Sequence, residues 1–284
     1  MAEGRVPGLT RNASARTSTV SQTIVLIHGL WMTPRSWEQW VERYSSRGHR
    51  VLAPAWPGVE AEVEELRRDP FPMTKLDITK IVDHYDGIIR GLDSPPIVMG
   101  HSAGGLFVQL LLDRGLASAG VGVGSGAIRG VVPPFSAIRA TFPVLGNPFN
   151  RGKATGLTAK QFHYAFCNTL SRKESDEIYE RQHVAAANRV MFQIAFATFN
   201  PNGPTKVNFK RDDRAPMLFV AFDQDHLAPV KASRHSLHQY RESKALTALK
   251  EFAGRPHFPG VPGWEEVADY ALDWATGSPA ARQA

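Results

Sequence analysis

Gly100-His101-Ser102-Ala103-Gly104 follows the apolar run Ile97-Val98-Met99 and precedes the apolar runs Leu106-Phe107-Val108 and Leu110-Leu111-Leu112. A Gly-x-Ser-x-Gly pentapeptide between a strand and a helix is the pattern of a nucleophile elbow. Such a turn strains the backbone of its serine, and the flanking positions must be small for the chain to pass. The Ser102 hydroxyl would then stand at a helix N-terminus, where backbone N–H groups and the helix dipole favour the oxyanion of acyl transfer. A serine hydroxyl is a poor nucleophile until a base removes its proton, and the base needs a partner that fixes its tautomer. In the chain order this elbow demands, the sequence offers Ser102 as nucleophile, Asp225 as orienting carboxylate and His257 as base.

Asp225 lies in Phe222-Asp223-Gln224-Asp225-His226-Leu227-Ala228-Pro229, where Asp223 competes with it. Pro229, four residues on, restarts the chain as such loops do and favours Asp225. His257 sits in Gly254-Arg255-Pro256-His257-Phe258. His28-Gly29-Leu30-Trp31 follows the first apolar run, and an amide there pairs with the amide after the nucleophile. The oxyanion donors are therefore assigned to Leu30 and Ala103, with Trp31 as the alternative to Leu30. Cys167 reads as a small packed residue. His235 and His238 share a helix face at metal-like spacing, but no third ligand is evident and a solvated face is the simpler reading.

These side chains need a frame. Thr23 to Ile27, Arg50 to Ala53, Pro96 to Met99, Ala119 to Ser125, Met217 to Phe222 and Leu246 to Phe252 read as strands. The uninterrupted apolar run of Thr23 to Ile27 suits a strand buried on both faces, as in a parallel sheet. Trp37 to Arg47, Glu60 to Arg68, Ile78 to Leu92, Ser102 to Asp113, Val230 to Arg241 and Trp264 to Ala275 read as helices. The alternation predicts an α/β fold: a mostly parallel central sheet of about six strands with helices on both faces. His28, Ser102, Asp225 and His257 each fall just past the carboxyl end of a strand, where ligands bind in such sheets.

The pattern is interrupted between Ile128 and Asp213. Prolines punctuate the start of this stretch, and two helical segments follow, about Thr158 to Thr169 and Lys173 to Phe199. The expected organisation is a flexible tail at 1–21, a core at 22–127 and 214–284, and a mainly helical insertion at 128–213. Ten aromatic residues between Phe135 and Phe199 are expected to form the insertion's own core, with some lining an apolar pocket above Ser102.

The chain of 284 residues carries a formal net charge of +6, with Lys and Arg mixed among acids as in Glu60 to Arg68, so nucleic-acid binding is not expected. One cysteine excludes an intramolecular disulfide and a Cys-based zinc or iron–sulfur site within the chain. No run has the length of a membrane span. Met1 to Val20 lacks the apolar core of a secretory signal, so a cytoplasmic protein is expected. Gly146 to Ala154 has the wrong length and terminus for a phosphate-binding loop, and Gly122 to Ala127 lacks the acidic residue of a dinucleotide turn.

From about Gln22 to Ala275 the chain resembles the α/β-hydrolase-fold serine hydrolases. Ile27-His28-Gly29, Gly100 to Gly105, Asp225 to Pro229, and His257 before the Trp264-Glu265-Glu266-Val267 helix carry the resemblance. His28-Gly29-Leu30-Trp31 also resembles the methylesterase and hydroxynitrile lyase branch. The family's N-terminal hairpin has no counterpart before Thr23, and the insertion is long. The resemblance implies a serine carboxylesterase acting on a small or medium apolar or aromatic ester, without cofactor or metal. Lactone opening, carbon–carbon cleavage, cyanohydrin lysis, perhydrolysis and low-turnover ligand reception stay open on the same machinery, as does a homodimer.

Overall fold

A computed structural model of the chain describes residues 21–126, 128–130 and 133–277. The tail expected at 1–21 lies outside these residues except for Ser21. In chain order the elements are β1 (Thr23–Ile27), α1 (Glu38–Ser46), β2 (Arg50–Leu52), α2 (Val63–Arg68), α3 (Ile78–Arg90), β3 (Ile97–His101), α4 (Ala103–Asp113), β4 (Ala119–Val123) and α5 (Phe135–Leu145). They continue with β5 (Ala154–Thr155), α6 (Ala159–Phe166), α7 (Arg172–Gln182), β6 (Ala186–Ala187), α8 (Asn188–Ala195), β7 (Met217–Phe222), α9 (Val230–Gln239), β8 (Thr247–Phe252) and α10 (Trp264–Ala275).

Six strands form one sheet in the order β2-β1-β3-β4-β7-β8, and every neighbouring pair is parallel. This is the expected α/β architecture. The two-residue alternation of a strand sends its side chains to both faces. In β1, Val25 and Ile27 pack into the cluster that holds Val82, Phe107 and Leu111 of α3 and α4. Ile24 and Leu26 pack into the cluster of Trp40 and Tyr44 of α1 and Leu272 of α10. Each such aliphatic side chain contributes about 1.5–3 kcal/mol when fully buried. Two-sided burial explains why β1 reads as a continuous apolar run.

The stretch between β4 and β7 departs from its sequence reading. α5 forms in a region of proline punctuation and carries Pro143 inside it. Pro134 occupies its N-cap, where an extended conformation and a missing N–H cost nothing. The helix expected over Lys173 to Phe199 is broken between Gln182 and Asn188. The cause is tertiary. The Val184 amide donates to the Trp31 carbonyl, and Ala186-Ala187 pair antiparallel with Ala154-Thr155. α6 and α7 each begin with a full capping box, Thr158 with Gln161 and Ser171 with Glu174.

Candidate active site

Ser102 stands between the end of β3 and the first residue of α4 with φ 56 and ψ −119. A non-glycine residue held at positive φ costs on the order of 1–3 kcal/mol and persists only where its surroundings enforce it. Here the enforcement is close passage. A Cβ on Gly104 would meet the Ile27 carbonyl oxygen at 2.2 Å, so α4 crosses β1 with no room for a side chain. The Ser102 amide donates to the Val123 carbonyl at 2.9 Å, which ties the turn to β4.

His257 lies between β8 and α10 and is fully buried. Its Nδ1–H donates to Asp225 Oδ2 at 2.6 Å. Asp225 Oδ1 accepts the Leu227 and Ala228 amides, both at 2.7 Å. Three N–H donors converge on this buried carboxylate, which fixes its rotamer. A proton on Nδ1 leaves Nε2 with its lone pair free. Nε2 has no hydrogen-bond partner among the described residues, so the Ser102 hydroxyl and His257 are not bonded in this structure. Hydroxyl–imidazole bonds are often long before substrate arrives. Asp223 is placed elsewhere: its Oδ1 accepts the Gly254 amide at 2.7 Å and braces the loops after β7 and β8.

Two further histidines support the arrangement. His101 Nε2–H donates to the His257 carbonyl at 2.9 Å, and the two rings lie 4.6 Å apart. Burial and the neighbouring His257 hold the His101 pKa well below the usual histidine range, so its ring is neutral. His28 stacks on Trp56 with centroids 4.6 Å apart and donates from Nδ1 to the Gly29 carbonyl. Burial lowers its pKa to about 4. Cys167 is buried, and burial pushes its thiol up to about 12, which keeps it an unreactive packing residue.

Ser102 opens onto a cavity of about 230 Å³ whose lining includes Leu30, Trp31 and Ala103. Among the described residues, no hydrogen bond uses the amide of Leu30, Trp31 or Ala103. All three remain available as donors. A Cβ on Gly29 would come 2.8 Å from the Ser102 Cβ, so this loop lies directly against the nucleophile elbow. Trp31 is itself at φ 65; its indole donates to the Thr155 carbonyl at 3.0 Å.

The insertion supplies the other walls through Ala137, Thr141, Leu145, Met191 and Ile194. None of the ten aromatic residues between Phe135 and Phe199 lines the cavity, contrary to the sequence reading. Phe162, Phe166 and Phe192 are buried, whereas Phe135, Phe142, Phe149, Phe196 and Phe199 are exposed. Helical phase decides this on α5, where residues 137, 141 and 145 share one face and 135, 138 and 142 another. Arg129 is the charged side chain in the lining, with its guanidinium over the Phe209 ring. His238 is exposed, but His235 is half-buried and not fully solvated. No group of three His, Cys, Asp or Glu among the described residues is placed to hold a metal ion.

The sequence model of the alpha/beta hydrolase family matches residues 24–270. The chain belongs to the alpha/beta hydrolase family. Solved structures with the family's fold cover nearly the whole chain. A monoacylglycerol lipase of Paleococcus ferrophilus is 19% identical with a TM-score of 0.62, over 89% of this chain and 93% of its own. A pyrethroid hydrolase from Sphingobium faniae is 18% identical with a TM-score of 0.62, over 92% and 99%. An extracellular alpha/beta-hydrolase from a Paenibacillus species is 16% identical with a TM-score of 0.64, over 89% and 98%. No curated protein is significantly similar in sequence. Within the alpha/beta hydrolase fold, Ser102, Asp225 and His257 all lie at the carboxyl edge of the sheet, after β3, β7 and β8.

Proposed function

We propose that the protein is a serine carboxylesterase that cleaves small or medium apolar or aromatic esters through an acyl-enzyme. The observation that carries this reading is the buried Asp225–His257 pair at 2.6 Å with Nε2 free, at the same sheet edge as a serine held in a strained elbow. In this scheme His257 Nε2 takes the Ser102 proton as the oxygen attacks the ester carbonyl. Asp225 holds the imidazole in the right tautomer and stabilises the imidazolium. The Ala103 amide, with that of Leu30 or Trp31, receives the oxyanion; one such donor is worth about 3 kcal/mol in comparable sites. His257 returns the proton to the leaving alcohol, and water repeats the sequence in reverse to free the acid.

The cavity supports the substrate class. Its lining is predominantly aliphatic, and about 230 Å³ lies below the roughly 300–1,000 Å³ typical of drug-sized ligands. The lipase and pyrethroid hydrolase names among the structural neighbours are in keeping with ester cleavage. The test is turnover of p-nitrophenyl esters of graded acyl length. Ser102→Ala should abolish it and leave the unfolding midpoint close to that of the parent. Turnover retained by a folded Ser102→Ala protein would overturn the assignment.

A further inference from the structure

α5 is apolar on two faces. Ala137, Thr141 and Leu145 line the cavity, whereas Phe135, Ile138 and Phe142 form a separate stripe that is 77%, 48% and 64% exposed. Phe196 and Phe199, near the end of α8, are 53% and 82% exposed. Each of these five follows directly on a cavity-lining residue: Pro134, Ala137, Thr141, Ala195 and Thr198. The exposed side chains therefore belong to the segments that wall the cavity, with Phe135, Ile138 and Phe142 on the neighbouring face of α5. Phe149, 84% exposed, extends the apolar surface from a turn packed against α5. Scattered exposed apolar residues are ordinary, but a concentration of exposed phenylalanines on the segments that wall one cavity marks an interaction surface.

Charge narrows the choice of partner. From Arg114 to Lys173 the chain has no Asp or Glu and eight Lys or Arg. From Arg181 to Arg211 it again has no acid, and five Lys or Arg. Arg139 is exposed beside the α5 stripe, with its guanidinium 4.1 Å from the Tyr164 ring centroid. Arg151 and Lys153 follow Phe149, and Lys206 follows Phe199; all are exposed. Among the described residues, the ion pairs of these stretches involve Arg114, Arg172, Arg181, Lys210 and Arg211 and leave those four unneutralised. A second copy meeting this face with its own would set cation against cation. An anionic bilayer satisfies both features, since headgroups pair with the cations while the rings enter the acyl boundary.

We propose that the exposed face of these segments docks on an anionic lipid bilayer, with α5 lying in the interface. No helix among the described residues is long and apolar enough to cross a membrane, and the proposed attachment is adsorption through α5. A stripe along α5 requires that helix to lie parallel to the surface. The cavity would then open toward the acyl boundary and receive apolar molecules without their passing through bulk water.

The experiment is co-sedimentation of the full chain with vesicles of phosphatidylcholine alone and of an equimolar mixture with phosphatidylglycerol, at low and high salt. The protein should sediment with the mixed vesicles at least about tenfold more strongly than with the neutral ones, and high salt should weaken the binding. Phe135→Ser with Phe199→Ser should lower the partition at least about tenfold. Circular dichroism and the unfolding midpoint should show that variant folded. Arg151→Glu with Lys153→Glu should weaken binding while keeping the phenylalanines. Three outcomes would each overturn the proposal: no association with mixed vesicles at low salt, undiminished association of the folded phenylalanine variant, or a dimer in solution that this variant dissolves. None of these readouts uses ester turnover, so they stand apart from the esterase reading.

Discussion

His101 Nε2 donates to the backbone carbonyl of His257 at 2.9 Å. The residue before the proposed nucleophile thus holds the loop that carries the proposed base. Elbow and base loop leave the sheet at different strands, and this bond is a direct link between them. His101→Phe keeps the buried bulk and removes the donor. Stability should fall by about 1–3 kcal/mol, the cost of an unsatisfied buried carbonyl. The turnover number should fall by up to about 10²-fold through misplacement of His257, with a smaller change in KM. Steady-state kinetics beside denaturant unfolding checks both; unchanged kcat would show that the bond positions nothing.

Asp225 and Asp223 are two residues apart but have different partners. Asp225→Asn should lower ester turnover by about 10⁴-fold, because an amide cannot hold the same imidazole tautomer. Asp223→Asn should cost little activity, since an amide oxygen still accepts the Gly254 amide. Parallel kinetics of the two variants separates them. Comparable losses in both would refute the distinction.

Ala137 faces the cavity from α5, and enlarging it consumes volume without touching Ser102, Asp225 or His257. Ala137→Phe should shift the preferred acyl chain toward shorter esters. A cavity of about 230 Å³ has little space to spare for a phenyl ring. Activity on acetate esters should persist while that on the longest accepted ester drops by about tenfold or more, since each lost methylene contact is worth about 1 kcal/mol or more. An unaltered chain-length profile would place the acyl group elsewhere.

Stability should depend on pH through buried neutral histidines. Burial lowers His28 to about 4 and, with the nearby Arg67 charge, His183 to about 3. Once unfolded, each takes a proton near the ordinary value of about 6.5. Below that pH the unfolded chain binds more protons than the folded one, so stability falls as pH falls. The loss begins near pH 6.5, continues to about 4 for His28, and for each group is at most about 1.4 kcal/mol per pH unit. Urea midpoints between pH 8 and 4, for the parent and for His28→Gln, test this. The variant's profile should be shallower; parallel profiles would exclude His28 as a contributor.

The central strands β1, β3, β4 and β7 were legible because they are buried on both faces, whereas the edge strands β2 and β8 are partly exposed and carry Arg50, Lys250 and Glu251. The placement of Ser102, Asp225 and His257 was legible because all three follow strand ends at one edge of the sheet. Strand ends shifted by a residue or two, as at Ile97–His101, because hydrogen bonding extends past the apolar run into the glycine. α5 was hidden because Pro134 and Pro143 read as punctuation, though a proline at a helix start is compatible with the helix. The break after Gln182 was hidden for another reason. Val184 to Ala187 has adequate helix propensity, and the chain leaves the helix for partners at Trp31, Ala154 and Thr155, remote in sequence. The support that His101 gives His257 is likewise a contact across 156 residues and leaves no local trace.

Trp31 is fastened to the insertion twice, by its indole to the Thr155 carbonyl and by its own carbonyl to the Val184 amide. Both anchors sit at the short β5–β6 ladder, and Trp31 also borders the cavity beside Ser102. A graft that replaced the 133–214 segment with one of different shape would free this tryptophan from its left-handed kink as well as rebuild the cavity wall. On the proposed scheme, the wall that would select the substrate and the loop that would offer an oxyanion donor share one clasp, and redesign of either must re-create it.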